Sequence, residues 1–321
     1  MDILINILTQ LGYILVFPGF LFCMLVGLLI TGIDRKLIAR MQKRVGPPIL
    51  QPFYDFFKLC GKETIVPAVA NKTAFLLCPV IGLAALVVLQ LFVPIHGFEA
   101  FTAHGDVIVI LYLLLIPAIC EIAGAASTGS PYAGIGLSRE MVTVISVELP
   151  LVLVILAVGR AVSETGAVTF SLSEINYYQC IYGSLITRPA LIPAAIAFLM
   201  VIPGETGAHP FDAAEAETEI CEGMLAEYSG APLGIFKLTH AVKVYTMASL
   251  FVALFLGGIG TGNLLLNIVI NVVLCIIVTI VSSTVLNAIT ARLKINQIFK
   301  YYWTVVSAFA AISLVLVWMG L

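Results

Sequence analysis

Charge is scarce in this chain. Only 11% of its 321 residues are Asp, Glu, Lys or Arg, against 61% hydrophobic, and mean hydropathy is +1.10. That balance excludes an ordinary soluble domain and points to an integral membrane protein that meets lipid and no nucleic acid. Clustered thiols are also missing. The seven cysteines, Cys23, Cys60, Cys78, Cys120, Cys180, Cys221 and Cys275, form no CxxC pair. Iron–sulfur clusters and structural zinc need grouped thiolates, so neither is expected. Most of these cysteines lie in apolar runs and read as small buried hydrophobes. His96, His104, His209 and His240 show no metal-ligand spacing. No catalytic residue, metal site or bound cofactor is therefore expected in this chain. The N-terminus has no basic region ahead of its first apolar run, which reads as a retained span rather than a signal peptide. No internal repeat or low-complexity tract is visible.

What the chain has is long apolar runs. A membrane-crossing helix needs about 20 mostly apolar residues. Eight runs qualify or nearly so: 3–33, 73–94, 107–127, 141–159, 189–204, 232–256, a seventh that ends near 291, and 301–321. The stretch from Val244 to Ala291 is charge-free and too long for one helix. Its glycine-rich segment 257–263 divides it into the sixth and seventh spans. The fold class expected is an all-α, eight-span single membrane domain over 1–321.

Basic residues orient it. Eight of the sixteen, Arg35, Lys36, Arg40, Lys43, Arg44, Lys58, Lys62 and Lys72, fall between 34 and 72. The positive-inside rule makes that loop cytoplasmic and places both termini outside in the cytoplasmic membrane. Alternation then puts Arg139, the 205–230 loop and the loop bearing Arg292, Lys294 and Lys300 inside. The loops near Glu99 and Asp106, and from Arg160 to Arg188, fall outside.

The 34–72 loop has two halves. Gly46-Pro47-Pro48 stops a helix and forces an extended turn, and Pro52 suits a new helix start. Beyond it Phe53, Phe56, Phe57 and Cys60 recur at helical spacing, with Asp55, Lys58 and Lys62 on polar faces. The pattern fits an amphipathic helix in the membrane interface. It serves either as an anchor on anionic lipid or as a docking platform that uses Arg35, Arg40, Arg44, Gln51, Asp55 and Lys58.

The loop 205–230 is acidic. Glu205, Asp212, Glu215, Glu217, Glu219, Glu222 and Glu227 are seven of eighteen acidic residues, and no Lys or Arg stands among them. A helix starting at Pro210, capped by Asp212, would align Asp212, Glu215, Glu219 and Glu222 in one stripe. Carboxylates so placed would titrate as a coupled set, some with raised pKa values, which suits proton relay. A solvated loop that attracts a basic partner is the plainer reading. Glu121 and Glu148 interrupt apolar spans, where an ionisable group costs about 2.5–3.5 kcal/mol. Glu140, beside Arg139, is two turns before Glu148, and its expected ion partner is Arg139. Lys237 reads as snorkelling and Lys243 as a snorkelling residue or counter-ion.

Two motifs carry a family resemblance. One runs from Arg35 to Arg44, through Gly46-Pro47-Pro48, Leu50-Gln51-Pro52 and Asp55-x-x-Lys58-Leu59, to Lys62-Glu63. The other runs from Glu205-Thr206-Gly207-Ala208-His209-Pro210-Phe211-Asp212 through the acidic run to Glu227-Tyr228-Ser229-Gly230. In this order they resemble the membrane-subunit family typified by the H subunit of respiratory complex I, shared with energy-converting [NiFe] hydrogenases. Complex I members usually have a longer turn, with a second Gly-Pro before Leu-Gln-Pro, and an Arg where Ala208 stands. The short turn resembles the hydrogenase branch, with its Ech-type membrane component, and both departures speak against a quinone site.

The resemblance implies a membrane subunit of a ferredoxin-dependent, ion-pumping hydrogenase, without a redox centre of its own. It implies [NiFe] and [4Fe–4S] groups in partner subunits: hydrogenase large and small subunits and a ferredoxin-like iron–sulfur subunit. An antiporter-like membrane subunit completes the set. It also implies that protons or Na+ pass Glu121, Glu140, Glu148, Glu205, Asp212, Glu215, Glu217, Glu219, Glu222 and Glu227. Beside it stand the quinone-binding H subunit of complex I, a stand-alone secondary ion transporter and a passive anchor. The missing repeat opposes the transporter, and the buried Glu148 opposes the anchor.

Overall fold

The computed structural model describes residues 2–98, 105–163 and 167–320, without the side chains at 2–8, 217 and 218. Glu99, His104 and the side chain of Glu217 lie outside the described residues. The described residues are helical, with no strand. In a bilayer this follows from the need to satisfy every backbone N–H and C=O within the segment.

The first apolar run is not one helix, as expected over 3–33. It is α1 (Asp2–Leu15) and α2 (Phe20–Met41), separated at 16–19. Pro18 supplies no amide for the ladder and disfavours helix before it, which accounts for the break. α2 carries Asp34, Arg35, Lys36 and Arg40 on its last turns. α3 (Gln51–Cys60) begins with Pro52 in its first turn, as the sequence predicts. α4 (Lys72–Phe92) is capped by Asn71, whose side chain accepts from Thr73 N at 3.2 Å. α5 (Val107–Thr128) ends at Gly129, with φ +70°.

α6 (Pro131–Val162) begins ten residues before the expected 141, so Arg139 and Glu140 stand on the helix rather than in a loop. α7 (Leu172–Tyr182) is a short helix in the 160–188 segment. α8 (Ile192–Glu205) follows a 3₁₀ turn at Pro189–Leu191. After the one-turn α9 (Glu217–Ile220), α10 (Gly230–Phe255) runs through the centre of the molecule, mostly buried. It stops before the glycine run 257–263, as expected. α11 (Leu264–Thr279) continues through a π turn (Ile280–Thr284) into α12 (Val285–Ile289). α13 (Ile295–Lys300), another π turn (Tyr301–Val306) and α14 (Ser307–Trp318) close the chain.

Among the described residues seven helical stretches are long and apolar enough to cross a membrane, and Pro189–Glu205 is a shorter apolar one. The core forms where α10 meets α2, α4 and α8, and where α6 meets α8 and α14. Exposed Leu, Ile and Val along α4, α6 and α11 face outward, as lipid-facing surfaces do.

Candidate functional site

α10 is the site's axis. Lys243, on this buried helix, reaches Glu205 at the end of α8. The ammonium and carboxylate are 3.0 Å apart, and their side chains are only 9% and 3% exposed. Two desolvated charges persist in such a place only when paired. The carboxylates of Glu121 on α5 and Glu140 on α6 are further electrostatic neighbours of Lys243. All four line one small cavity with Asp212, Glu215 and His240. Glu140 therefore does not pair with Arg139 as the sequence suggests. It turns inward to the cavity, and Arg139 reaches out to the acidic loop.

That loop closes the cavity, and it is not the helix expected. Residues 212–216 are irregular, α-helix is confined to Glu217–Ile220, and a 3₁₀ turn follows at Gly223–Leu225. Cys221 and Glu222 then take left-handed backbone, with φ of 50° and 65°, which a helix cannot continue through. Asp212 caps no helix, and no stripe of Asp212, Glu215, Glu219 and Glu222 forms. The cause is two distant cations, Arg139 and Arg292, absent from the loop's own sequence. Arg292 donates to Asp212 Oδ2 at 2.6 Å, and His209 Nε2 stands 3.6 Å from the same oxygen. Arg139 donates to Glu219 at 2.7 Å and to the Ala213 carbonyl at 3.1 Å. Leu293 N donates to the Pro210 carbonyl at 3.1 Å. Phe211 packs on Tyr301 and Tyr302, ring centroids 5.6 and 5.0 Å away.

The loop carboxylates consequently divide. Arg139 holds exposed Glu219 below the usual carboxylate range through its hydrogen bond and charge. Burial pushes Glu215 up to about 7, helped by the negative charge of Asp212, Glu140 and Glu222, with Lys237 opposing. Glu222 is half-buried and Glu227 exposed; neither lines the cavity. Glu148 stands two turns beyond Glu140, half-buried and outside the cavity, with Glu205 as an electrostatic neighbour. Lys237 is exposed, as snorkelling requires. No local pattern signals that Arg139 and Arg292 grip the loop, or that His240 faces it. The i, i+3 spacing of His240 and Lys243 on α10 is the one clue to the last.

Glu215 should accordingly give a carboxyl infrared band titrating near 7, absent in Glu215→Gln. In Asp212→Asn it should titrate lower, since a neighbouring negative charge is gone. The sign for stability is fixed: the folded value lies above the ordinary 4.5. Glu215 therefore favours the fold fully below that value and loses this contribution as pH rises through about 7. A band fixed near 4.5 would contradict this.

The basic loop forms a separate surface. Arg35 pairs with Asp55 at 3.3 Å, and Gln51 donates to the other Asp55 oxygen at 2.9 Å. Arg44 donates to Gln42. Arg40, Arg44 and Lys58 are exposed. The loop returns onto α2 so closely that a Cβ on Gly32 would strike the Ile49 carbonyl.

Comparison with known proteins matches residues 14–318 to the family described as NADH dehydrogenase. The chain is 37% identical over 229 residues to hydrogenase-4 component C of Escherichia coli, covering 71% of this chain and 70% of that one. It is 32% identical to formate hydrogenlyase subunit 4 of the same organism, covering 71% and 72%. It is also 32% identical to the H subunit of NADH-quinone oxidoreductase from Rhizobium rhizogenes, covering 70% and 68%. A chain in the structure of an archaeal membrane-bound sulfane sulfur reductase superposes with TM-score 0.85 at 32% identity, covering 92% of this chain and 96% of that one.

Proposed function

Because the chain belongs to the NADH dehydrogenase family, which joins the H subunit of complex I with its hydrogenase counterparts, we propose that it anchors the soluble arm of a ferredoxin-dependent [NiFe] hydrogenase and conducts protons for it. The observation that carries this is the Lys243–Glu205 pair, ringed by Glu121, Glu140 and Glu215 beneath a tethered loop. A buried cation among several carboxylates supports more than one proton arrangement at similar cost. Charge there responds to any event that moves the loop. Electrons passing in a soluble partner would shift the loop, and the shift would move protons among these groups. The hydrogenase branch is favoured over a quinone-binding role by the short Gly46-Pro47-Pro48 turn, by Ala208, and by the hydrogenase-4 relative at 37% identity.

The shorter helix Pro189–Glu205 is taken as an eighth crossing. Its 17 residues are the minimum for a span. With it, both termini fall outside and all the basic loops inside. α3 lies in the interface with Phe57 and Tyr54 exposed. Glu148 is half-exposed on an α6 face that also bears exposed Ile145, Leu149 and Val152. A carboxylate among lipid-facing residues needs cover. That cover is assigned to the antiporter-like membrane subunit, to which Glu148 passes the proton.

Two experiments test this reading. Mass spectrometry of the detergent-purified complex should find [NiFe] and ferredoxin-like subunits. Flavin and NADH-dehydrogenase subunits would refute it. Reversing Arg40 and Arg44 to Glu should release the soluble arm on blue-native gels; an intact, active complex would refute the docking assignment.

A further inference from the structure

A second polar feature crosses the membrane region, apart from the carboxylate cavity and the docking loop. α11 and the π turn after it have two faces that repeat every four residues. Val269, Val273, Ile277 and Val281 are exposed and apolar. Asn271, Cys275, Thr279 and Ser283 are buried, and Ser282 and Thr284 of the π turn are buried with them. Buried polar groups at membrane depth are costly and mark ion pathways more often than chance.

Two of these groups bond to other side chains and two to carbonyls of their own helix. The Cys275 thiol donates to Asn271 Oδ1 at 3.6 Å. The Thr279 hydroxyl donates to the Cys275 carbonyl at 2.8 Å, and Ser283 to the Thr279 carbonyl at 2.9 Å. Thr284 donates its one proton to Asp34 Oδ1 on α2, at 2.5 Å, with the Thr279 carbonyl 3.3 Å from the same hydroxyl. From 271 to 284 the helix rises roughly 20 Å, about two-thirds of a hydrocarbon core of ~30 Å. One end is therefore a carboxylate. The other end, Asn271, lines a second small cavity with His96 and Asn176 near the end of α10.

The middle carries an independent sign of a ligand. Gln90 on α4 is 0% exposed. Its amide donates to Tyr245 at 3.3 Å and Ser249 at 3.2 Å on α10. Its Oε1 is buried and meets no donor among the described residues. Tyr245 has Cys275 and Cys23 as electrostatic neighbours, which sets this group beside the stripe. A buried, unpaired amide oxygen carries the full cost of its lost hydration, and a water held there removes that cost. Serine and threonine bonding back to their own helix is common in apolar helices. That habit explains neither the carboxylate on another helix, nor the outer cavity, nor the unpaired Gln90 oxygen.

We infer that this stripe is a transmembrane proton path within the chain, separate from the carboxylate cavity. Asp34 exchanges protons at the inner end. The hydroxyls of Thr284, Ser283 and Thr279 both accept and donate. Water held at Gln90 and Tyr245 supplies links that carbonyls, as acceptors only, do not. Asn271 and the outer cavity open the far end. The inference rests on the reading that the complex translocates protons, and its test separates the two.

The test uses the intact complex in proteoliposomes driven by reduced ferredoxin, with protons moved per electron as the readout. Thr279→Val and Asp34→Asn should keep assembly and electron transfer and lose protons per electron. Thr279→Ser should restore the ratio, which a purely structural hydroxyl would not require. Where Asp34→Asn does not assemble, Gln90→Leu decides: a lowered ratio supports the path and a normal one overturns it. Normal ratios in Thr279→Val and Asp34→Asn overturn it as well. Glu140→Gln is measured in parallel. Loss there with a normal Thr279→Val overturns this path alone; the reverse overturns the carboxylate-cavity reading alone.

Discussion

Lys243→Met should sharply lower proton pumping and lower the thermal stability of the purified complex. The side chain is replaced by one of similar length, so packing along α10 changes little. The charge is lost, and Glu205, 3.0 Å away and almost wholly buried, is left without its cation. Removing one partner of a buried pair costs about 3–5 kcal/mol, unless the abandoned carboxylate takes up a proton. Either result stops the relay. An ionised Glu205 destabilises the site, and a permanently protonated one no longer exchanges. Lys243→Arg keeps the charge in a different shape and should fall between. Parent-like melting and pumping in Lys243→Met would show the pair to be incidental.

Gly136→Val should have the second largest effect, although Gly136 carries no charge. It lies on α6 where the acidic loop rests. A Cβ there would stand 2.8 Å from Met224 N and 3.1 Å from the Ala214 carbonyl. Those are backbone atoms and cannot turn aside, so the loop must lift. Overpacking of this kind typically costs about 1–3 kcal/mol. The expected signature is electrostatic. Glu215 loses its burial, and its titration falls from about 7 toward the ordinary carboxylate range. Pumping drops with every carboxylate still present. Infrared titration of the variant reads this directly. A Glu215 band still near 7 would mean that the loop does not rest on Gly136.

The helices are legible in the sequence because bilayer length and apolar runs set them. The break at 257–263 and the start of α3 at Pro52 follow from glycine and proline chemistry at those positions. The pairing of charges is not legible. Asp212–Glu222 carries good helix formers, yet Arg139 and Arg292, about 80 residues away on either side, hold it so that 212–216 is irregular and helix is confined to one turn. Tertiary ion pairs outweigh local propensity there. Glu140 beside Arg139 suggests an ion pair, but neighbours on a helix point to different sides. Asp34 is inconspicuous because it opens a basic run, where a lone acid reads as solvated. Asn271, Thr279 and Ser283 pass as tolerated polar residues in a charge-free stretch. Their four-residue spacing is the available signal, and only burial shows that it faces inward.

The buried carboxylates around Lys243 are proposed to carry protons that this subunit helps to move. The most direct measurement is protons moved per electron by the intact complex carrying Glu140→Gln, which keeps the shape of the side chain and removes its titration. The expected result is a normally assembled complex that moves fewer protons per electron. A normal ratio in that variant would contradict it.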